Sequence, residues 1–238
     1  MLRFSVCMVF VTIRETDACQ ERRVLMATNS PQCVKCAVRR CGSMEKNGNV
    51  PASCPTEKYP DLVKETTEKY RLPENEAVIK GWQGLMEKVL DPEKKNEKYA
   101  WTRIHEIIEY AKIRGMKRLG IATCYALMPE AKLLSDILER SGFDVVSLSC
   151  LCGEVNPQDL GMPGAIFCNP ILQAAILNRE KTDLNIMVGL CVGHDILFLR
   201  NCTAETTPLI VKDRALGHNP VAALYQSQGF FGDRFAGR

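Results

Sequence analysis

The chain has 238 residues, enough for one substantial hydrophobic core with a small appendage. Its apolar and charged fractions, 46% and 25%, are ordinary for a globular protein and exclude wholesale disorder. The 31 basic and 28 acidic residues are interleaved, so no stripe of one sign could follow a phosphate backbone. No run approaches the roughly 20 apolar residues that span a bilayer. Composition therefore disfavours both nucleic acid and membrane as partners.

Twelve cysteines are the unusual feature of the composition. Disulfide frameworks serve small secreted domains that lack a core, whereas this chain has strong helix and strand patterning. Metal ligation or thiol chemistry in a reducing compartment fits that pattern better. We therefore expect a cytoplasmic protein, with a disulfide framework as the alternative.

Residues 1–25 imitate a short signal peptide, with an apolar run over 4–13. Charged residues crowd the region where a cleavage site should be small and neutral. We interpret residues 1–25 as a leader outside the fold, and leave open whether it belongs to the mature protein.

Residues 26–58 form a cysteine-rich segment with little apolar periodicity, which a bound ion would have to organise. Helical periodicity then predicts three helices. The first two helices are predicted to begin at Pro60 and Pro73, because proline suits a first helical turn, and the third is predicted to end before Gly115. The predicted helices cover 60–70, 73–91 and 101–114. His105 lies within the third helix, where we assign it a structural role.

Strands and helices alternate over the rest of the chain. This alternation indicates crossover connections and a mostly parallel sheet covered on both faces. Because crossovers are right-handed, we expect a Rossmann-like, doubly wound α/β fold over residues 59–238, including the preceding helices. The predicted strands lie at 118–123, 144–149, 164–167, 184–190 and 209–212, and the predicted helices at 129–140, 170–178, from 196 and from 220.

Four cysteines near the N-terminus have the spacing C-x2-C-x4-C-x12-C, with a proline after the last. Two cysteines separated by two residues can hold one ion from a single tight turn, and a second pair completes a tetrahedral site. A proline after the last cysteine is also found in bacterial ferredoxins. The spacing suits structural zinc and an iron–sulfur cluster alike, and unligated thiols are the alternative. The predicted metal ligands are Cys33, Cys36, Cys41 and Cys54.

Thiols and histidines follow the predicted strands where each strand ends. The carboxyl ends of parallel strands meet at one edge, which is where ligands bind in such sheets. We expect this rim to bind a second metal, a cluster or a small-molecule ligand, although any single cysteine could simply be a small buried residue. The predicted cofactor-binding residues are Cys124, Cys150, Cys152 and Cys168, and the predicted catalytic residues are Cys191, His194, Asp213 and His218.

Helix starts are predicted beside several of these residues. Cys168 and His218 are each followed by asparagine and proline, which suit an N-cap and a first helical position. Asp195 is expected to cap the helix after His194. The positive ends of these helices would then face the rim and favour thiolates.

The string GLCVGHD around Cys191 resembles the nucleophile motif of class I glutamine amidotransferases. That resemblance implies a thiolate of Cys191 attacking an amide carbonyl, with backbone N–H groups holding the oxyanion. Asp195 stands where that family has glutamine. That family also has a catalytic His-x-Glu pair downstream of the nucleophile. In this chain only its histidine has a counterpart, His218, with Asp213 before it.

The chain also resembles, over about residues 32–225, a family of uncharacterised, predicted metal-binding proteins of archaea and anaerobic bacteria, domain of unknown function 1847. The strings that carry the resemblance are CVKCAVRRC with the later SCP, FCNPILQA, GLCVGHD and LIVKDRALGHNPVAALY. It implies metal binding and no defined activity.

Three hypotheses follow. The first is a metalloprotein with zinc or an iron–sulfur cluster on the four cysteines and a second site at the rim, with a redox or sensing role. The second is a thiol-dependent hydrolase or amidotransferase-like enzyme that uses Cys191. The third is a nucleic-acid or protein interaction module in which Arg39 and Arg40 contact phosphate, which the modest charge disfavours.

Overall fold

The structure is a computed structural model, and it describes residues 30–42, 48–90, 101–164 and 167–236. The chain divides into two compact units, the first ending at Glu76 and the second beginning at Ala77. Within the described ranges, no helix is both long and apolar enough to cross a membrane. Residues 1–25, interpreted above as a leader, lie outside the described residues.

The first unit consists of short turns and helices. Single 3-10 turns at Cys33–Lys35 and Arg40–Gly42 precede α1 (Pro55–Lys58) and α2 (Pro60–Lys69). Proline occupies the first turn of both helices, as predicted for the second. None of the residues in these four elements is buried, so they form no hydrophobic core of their own. Helix α3 (Pro73–Val89) begins at Pro73, also as predicted.

The second unit contains a four-stranded sheet in which every pairing is parallel and the strand order is β2-β1-β3-β4. The predicted α/β, Rossmann-like fold class is therefore confirmed. The elements that follow α3 are α4 (Arg103–Ile113), β1 (Arg118–Thr123), α5 (Met128–Arg140), β2 (Asp144–Ser149), α6 (Pro170–Arg179), β3 (Leu184–Val188), α7 (Val192–Asn201), β4 (Glu205–Ile210), α8 (Val221–Tyr225) and α9 (Gly232–Phe235).

Helices cover both faces of the sheet. Side chains alternate along a strand, so Leu119 and Ile121 of β1 pack on one face while Ala122 packs on the other. The first face contacts α4 and α5, and the second contacts α6 and α7. Each face has its own hydrophobic cluster, which gives three layers and explains why β3 is buried along its whole length.

The predicted bounds of β1 and β2 are correct, and those of the later strands differ. Strand β3 ends at Val188 because Gly189 turns the chain with a φ of +62°. Strand β4 begins at Glu205 rather than at residue 209 and includes Pro208. Proline is tolerated there because β4 is an edge strand and pairs on one side only. Gly164 and Phe167 belong to no strand, and residues 165–166 between them lie outside the described residues.

The pairing of β4 with β3 contains an irregularity. Met187 pairs with Pro208, whereas the next residue, Val188, pairs with Ile210. Leu209 is therefore an extra residue, as in a β-bulge. It lies close to the carboxyl edge of the sheet.

The helix-capping predictions have mixed outcomes. The side chain of Asn169 accepts a hydrogen bond of 2.9 Å from Leu172 N and caps α6 as predicted. Asn219 does not cap α8, because Pro220 takes the N-cap position. Asp195 is not a cap either, because α7 begins earlier, at Val192, with Cys191 at its N-cap. His105 has a structural role, forming a capping box with Thr102 at the start of α4.

Candidate functional site

The N-terminal cysteines line one cavity of about 440 Å³. Cys33 and Cys41 are exposed and the other two are partly buried, and all four are free thiols. In the parts of the chain that the structure describes, no three His, Cys, Asp or Glu side chains are grouped closely enough to hold a metal ion. The four thiols thus share a cavity wall without forming a preassembled tetrahedron. They are Cys33, Cys36, Cys41 and Cys54.

The surroundings of Cys54 in this cavity favour its ionisation. Desolvation acts to raise the pKa of Cys54, but hydrogen bonds from the backbone N–H groups of Thr56 and Glu57 and the charge of Arg40 lower it overall. Cys54 is the N-cap of α1, which places those N–H groups beside its sulfur. The thiolate is the form of cysteine that binds metals.

Basic residues also line this cavity. Arg39 and Arg40 both contribute to its wall, and Arg40 forms an ion pair with Glu57. The backbone N–H of Arg39 donates to the sulfur of Cys36 at 3.5 Å. Positive charge is therefore present where several thiolates would accumulate negative charge.

In the second unit, the carboxyl edge of the sheet is formed by residues that follow all four strands. Cys124 and Cys150 come directly after β1 and β2, Cys191 follows β3, and Lys212 follows β4. The strand order reverses between β1 and β3, so the topological switch point, the usual ligand site in such sheets, lies at their carboxyl ends.

Three cysteines meet at this edge. The sulfur atoms of Cys150 and Cys168 are 3.5 Å apart. Asn169 N donates to the carbonyl of Cys150 at 2.7 Å, which fixes the two backbones beside each other. Tyr125 N donates to the Cys150 sulfur at 3.3 Å. Cys124 also interacts with the thiol of Cys150, so the structure brings together Cys124, Cys150 and Cys168.

The three thiols differ in burial and in charge surroundings. Partial burial acts to raise the pKa of Cys124, but the backbone N–H of Ala126 and the ammonium of Lys212 lower it overall. Burial raises the pKa of Cys150 to about 12. The pKa values of these two neighbouring thiols are therefore shifted in opposite directions. Lys212 reaches this cluster across the end of β3, because β4 does not neighbour β1.

Gln173 holds the same corner of the sheet together. Its side chain is fully buried, and Nε2 donates to the carbonyls of Thr123 and Leu148 at 3.1 and 2.8 Å. These carbonyls belong to the last residues of β1 and β2, just before Cys124 and Cys150. Gln173 is therefore a positioning residue for both cysteines.

Cys191 belongs to a different group of side chains. Arg214 Nη2 donates to the Cys191 sulfur at 3.1 Å. His194 lies in the first turn of α7, where burial and the charge of Arg214 lower its pKa. Among the described residues, no hydrogen bond joins Cys191 to His194.

Asp213 and His218 shape their own loop. Asp213 Oδ1 accepts hydrogen bonds from the N–H groups of Ala215 and Leu216, at 3.0 and 2.9 Å. His218 Nδ1 accepts from Asp213 N at 3.1 Å, and His218 N donates to Asp213 O at 2.9 Å. These bonds occupy Asp213 Oδ1 and one ring nitrogen of His218 within the loop that carries Arg214.

Among the described residues, no hydrogen bond joins the Cys152 thiol to the three-thiol cluster. The backbone N of Cys152 donates to Ser149 O at 3.1 Å, and burial raises the pKa of its thiol. The basic residues Lys212 and Arg214 are the main participants that the motif analysis missed. The rule that located the cysteines, namely position after a strand in a parallel sheet, also applies to them.

The fold and the thiol-lined edge define an α/β protein of the doubly wound class with clustered cysteines. Residues 54–209 match the family described as protein of unknown function DUF1847, and the chain belongs to that family. The match begins at Cys54, after the first three cysteines of the N-terminal set.

The chain is also similar to an uncharacterised protein of Methanocaldococcus jannaschii, MJ0455. The two are 49% identical over 131 residues, which is 52% of this chain and 67% of that protein. No solved structure matches the chain.

Proposed function

We propose that this is a metal-binding protein of the cytoplasm whose N-terminal cysteines hold zinc or an iron–sulfur cluster. The observation that carries the proposal is that all four cysteines line one cavity of about 440 Å³. They belong to or directly adjoin two short 3-10 turns and the start of α1. The proposed ligands are Cys33, Cys36, Cys41 and Cys54.

The donor set fits these metals. Four thiolates are a standard set both for structural zinc and for iron–sulfur clusters. Arg39 and Arg40 line the same cavity and would offset the negative charge of the thiolates. The local elements bury no residues, so a bound ion would supply the stabilisation that a core supplies elsewhere.

The ligand number suggests the role of the metal. Four protein thiolates complete a tetrahedral site and leave no position for a substrate. The bound group would therefore supply structural stabilisation or, as a cluster, electron transfer, and the lowered pKa of Cys54 would favour its binding as a thiolate.

Metal analysis and an absorption spectrum of anaerobically purified full-length protein test this proposal. We expect stoichiometric zinc without colour, or iron with the visible bands of a cluster. The variant Cys33→Ser/Cys36→Ser should lose most of that metal, whereas Cys202→Ser should retain it, because Cys202 lies in the other unit beside Asn185. If the wild type and the double variant contain equal and negligible amounts of metal, the proposal is wrong.

A second candidate function is thiol catalysis by Cys191. The observation that favours it is the Arg214 guanidinium 3.1 Å from the sulfur, at the N-cap of α7. A cation and a helix N-terminus both stabilise a thiolate. The absence of a hydrogen bond from Cys191 to His194, among the described residues, leaves this site without an assembled catalytic pair.

Labelling with iodoacetamide separates this candidate from the first. Catalysis requires Cys191 to be alkylated faster than the other thiols at neutral pH, and Arg214→Gln should abolish that advantage. Slow labelling at the same rate for every accessible cysteine would argue against an activated nucleophile.

A further inference from the structure

We propose that Cys150 and Cys168 are a redox-active dithiol that exchanges with low-molecular-weight disulfides and becomes an internal disulfide. The site lies at the carboxyl edge of the sheet and does not depend on metal binding by the N-terminal cysteines. Its substrate class is a disulfide of small thiols, such as oxidised glutathione.

The geometry of the pair supports this assignment. The two sulfur atoms are 3.5 Å apart, close to van der Waals contact. The hydrogen bond of 2.7 Å from Asn169 N to Cys150 O holds the adjacent backbones in register. A disulfide needs sulfurs about 2.05 Å apart, so the two sulfur atoms must approach each other by roughly 1.5 Å, a movement that side-chain rotation can supply.

The two thiols differ in access, which sets the order of events. Cys150 is 1% exposed, whereas Cys168 is partly exposed. An external disulfide therefore reaches Cys168 first. Attack by the Cys168 thiolate forms a mixed disulfide and expels one small thiolate, which takes up a proton.

Cys150 then resolves the mixed disulfide. Its sulfur attacks the sulfur of Cys168, the Cys150–Cys168 bond forms, and the second small thiol leaves with a proton. In total, two protein thiols and one small disulfide become one protein disulfide and two small thiols. The protein pair is oxidised by two electrons and the small disulfide is reduced by the same two.

Cys124 supports the second step. Cys150 must lose its proton to attack, and burial makes that costly by raising its pKa to about 12. The thiol of Cys124 interacts with Cys150, and its own pKa is lowered by Ala126 N–H and Lys212. Both chain neighbours of Cys124 bond Cys150, since Cys150 N donates to Thr123 O at 2.8 Å and Tyr125 N donates to the Cys150 sulfur at 3.3 Å. In its thiolate form Cys124 would therefore be adjacent to the proton that Cys150 gives up, and could return it to the departing small thiolate.

Oxidation of the reduced full-length protein with oxidised glutathione tests the proposal. Remaining thiols are blocked with N-ethylmaleimide, and cleavage after Glu154 separates the peptide of Cys150 and Cys152 from that of Cys168. We expect a Cys150–Cys168 link that dithiothreitol reverses. Cys150→Ser should lose the link and leave glutathione on Cys168.

Matched variants make the result specific. Cys152→Ser and Cys202→Ser should both retain the link, because the sulfur contact joins Cys150 to Cys168 and Cys202 bonds Asn185 at the opposite end of β3. The same peptide map reports the N-terminal cysteines separately, so failure of the metal proposal is distinguishable.

Three results would overturn the exchange site. One is that Cys150 and Cys168 both stay free while other partly exposed thiols become glutathionylated. Another is a link from Cys150 to Cys152 instead. The third is that neither oxidised glutathione nor N-ethylmaleimide modifies Cys124, Cys150 and Cys168 until a chelator is added, which would make these three thiols metal ligands.

Discussion

The side chain of Asn185 in β3 occupies the space that a β-carbon on Gly120 in β1 would need. The two residues are direct partners in the parallel pairing of these strands. Asn185 is fully buried and fixed, since Thr182 Oγ1 donates to its Oδ1 at 2.7 Å and its Nδ2 donates to Cys202 Sγ at 3.6 Å. Glycine is thus required at position 120 because the Asn185 side chain of the neighbouring strand leaves no space for a β-carbon, and not because the chain turns there.

Replacing Gly120 with alanine should therefore destabilise the fold. The added methyl group forces Asn185 out of its hydrogen bonds, and overpacking of this kind costs about 1–3 kcal/mol of unfolding free energy. Urea denaturation of the protein, monitored by circular dichroism, measures the change in the free energy of unfolding.

The control is Gly193→Ala in α7, where a β-carbon would meet no atom within 4 Å. There the substitution should stabilise by about 0.5–1 kcal/mol, because alanine is the better helix former. Equal effects of the two substitutions would show that the contact with Asn185 is not what selects glycine.

The ion pair between Arg114 and Glu205 should contribute measurably to stability. Arg114 Nη1 and Nη2 donate to the two carboxylate oxygens at 3.1 and 2.9 Å, and Tyr110 Oη donates to the same carboxylate at 3.0 Å. Arg114→Met should cost about 1–3 kcal/mol, because it leaves a partly buried carboxylate with fewer donors. Arg71→Met, which breaks the exposed pair with Glu68, should cost about 0–1 kcal/mol.

Lys212 should control how readily Cys124 ionises. Its charge and hydrogen bond lower the pKa of Cys124, so Lys212→Gln should raise that pKa and slow alkylation near neutral pH. The measurement is the rate of iodoacetamide labelling of Cys124 against pH, whose midpoint should move upward. Lys132→Gln, at an exposed pair with Asp136 in α5, should leave the profile unchanged.

Arg214 should affect the titration of His194. Burial and the Arg214 charge lower the pKa of His194, so the unfolded state binds its proton more readily. The stability that His194 contributes is present above the ordinary histidine pKa and is lost as pH falls through the lowered one. Arg214→Gln should raise the His194 pKa in an NMR titration, whereas Arg179→Gln, at the end of α6, should not.

Local signals predicted part of the fold correctly. The strands β1 and β2 have the predicted bounds because a helix-ending glycine precedes each, Gly115 and Gly142, both with positive φ. The predicted start of β4 is wrong by four residues, because Pro208 is compatible with a strand only at a sheet edge, and edge position is a property of the whole sheet.

The sequence predicts the site only to the extent that its residues directly follow strands. Position after a strand placed Cys124 and Cys150 at one edge, which the parallel sheet bears out. The contact between Lys212 and Cys124 depends on strand order, which sequence periodicity does not contain. Local sequence also fails to distinguish Asn169 from Asn219. Each is followed by proline, although only Asn169 caps a helix.

The extra residue Leu209 has a consequence for how this chain tolerates change in length. Lys212 follows β4 by two residues, so deleting Leu209 would shift Lys212 by one position relative to β3 and change where its ammonium lies. Cys124 would lose its cation although neither residue had been altered. Among relatives of this protein, gaps and insertions near residue 209 should therefore be rarer than substitutions.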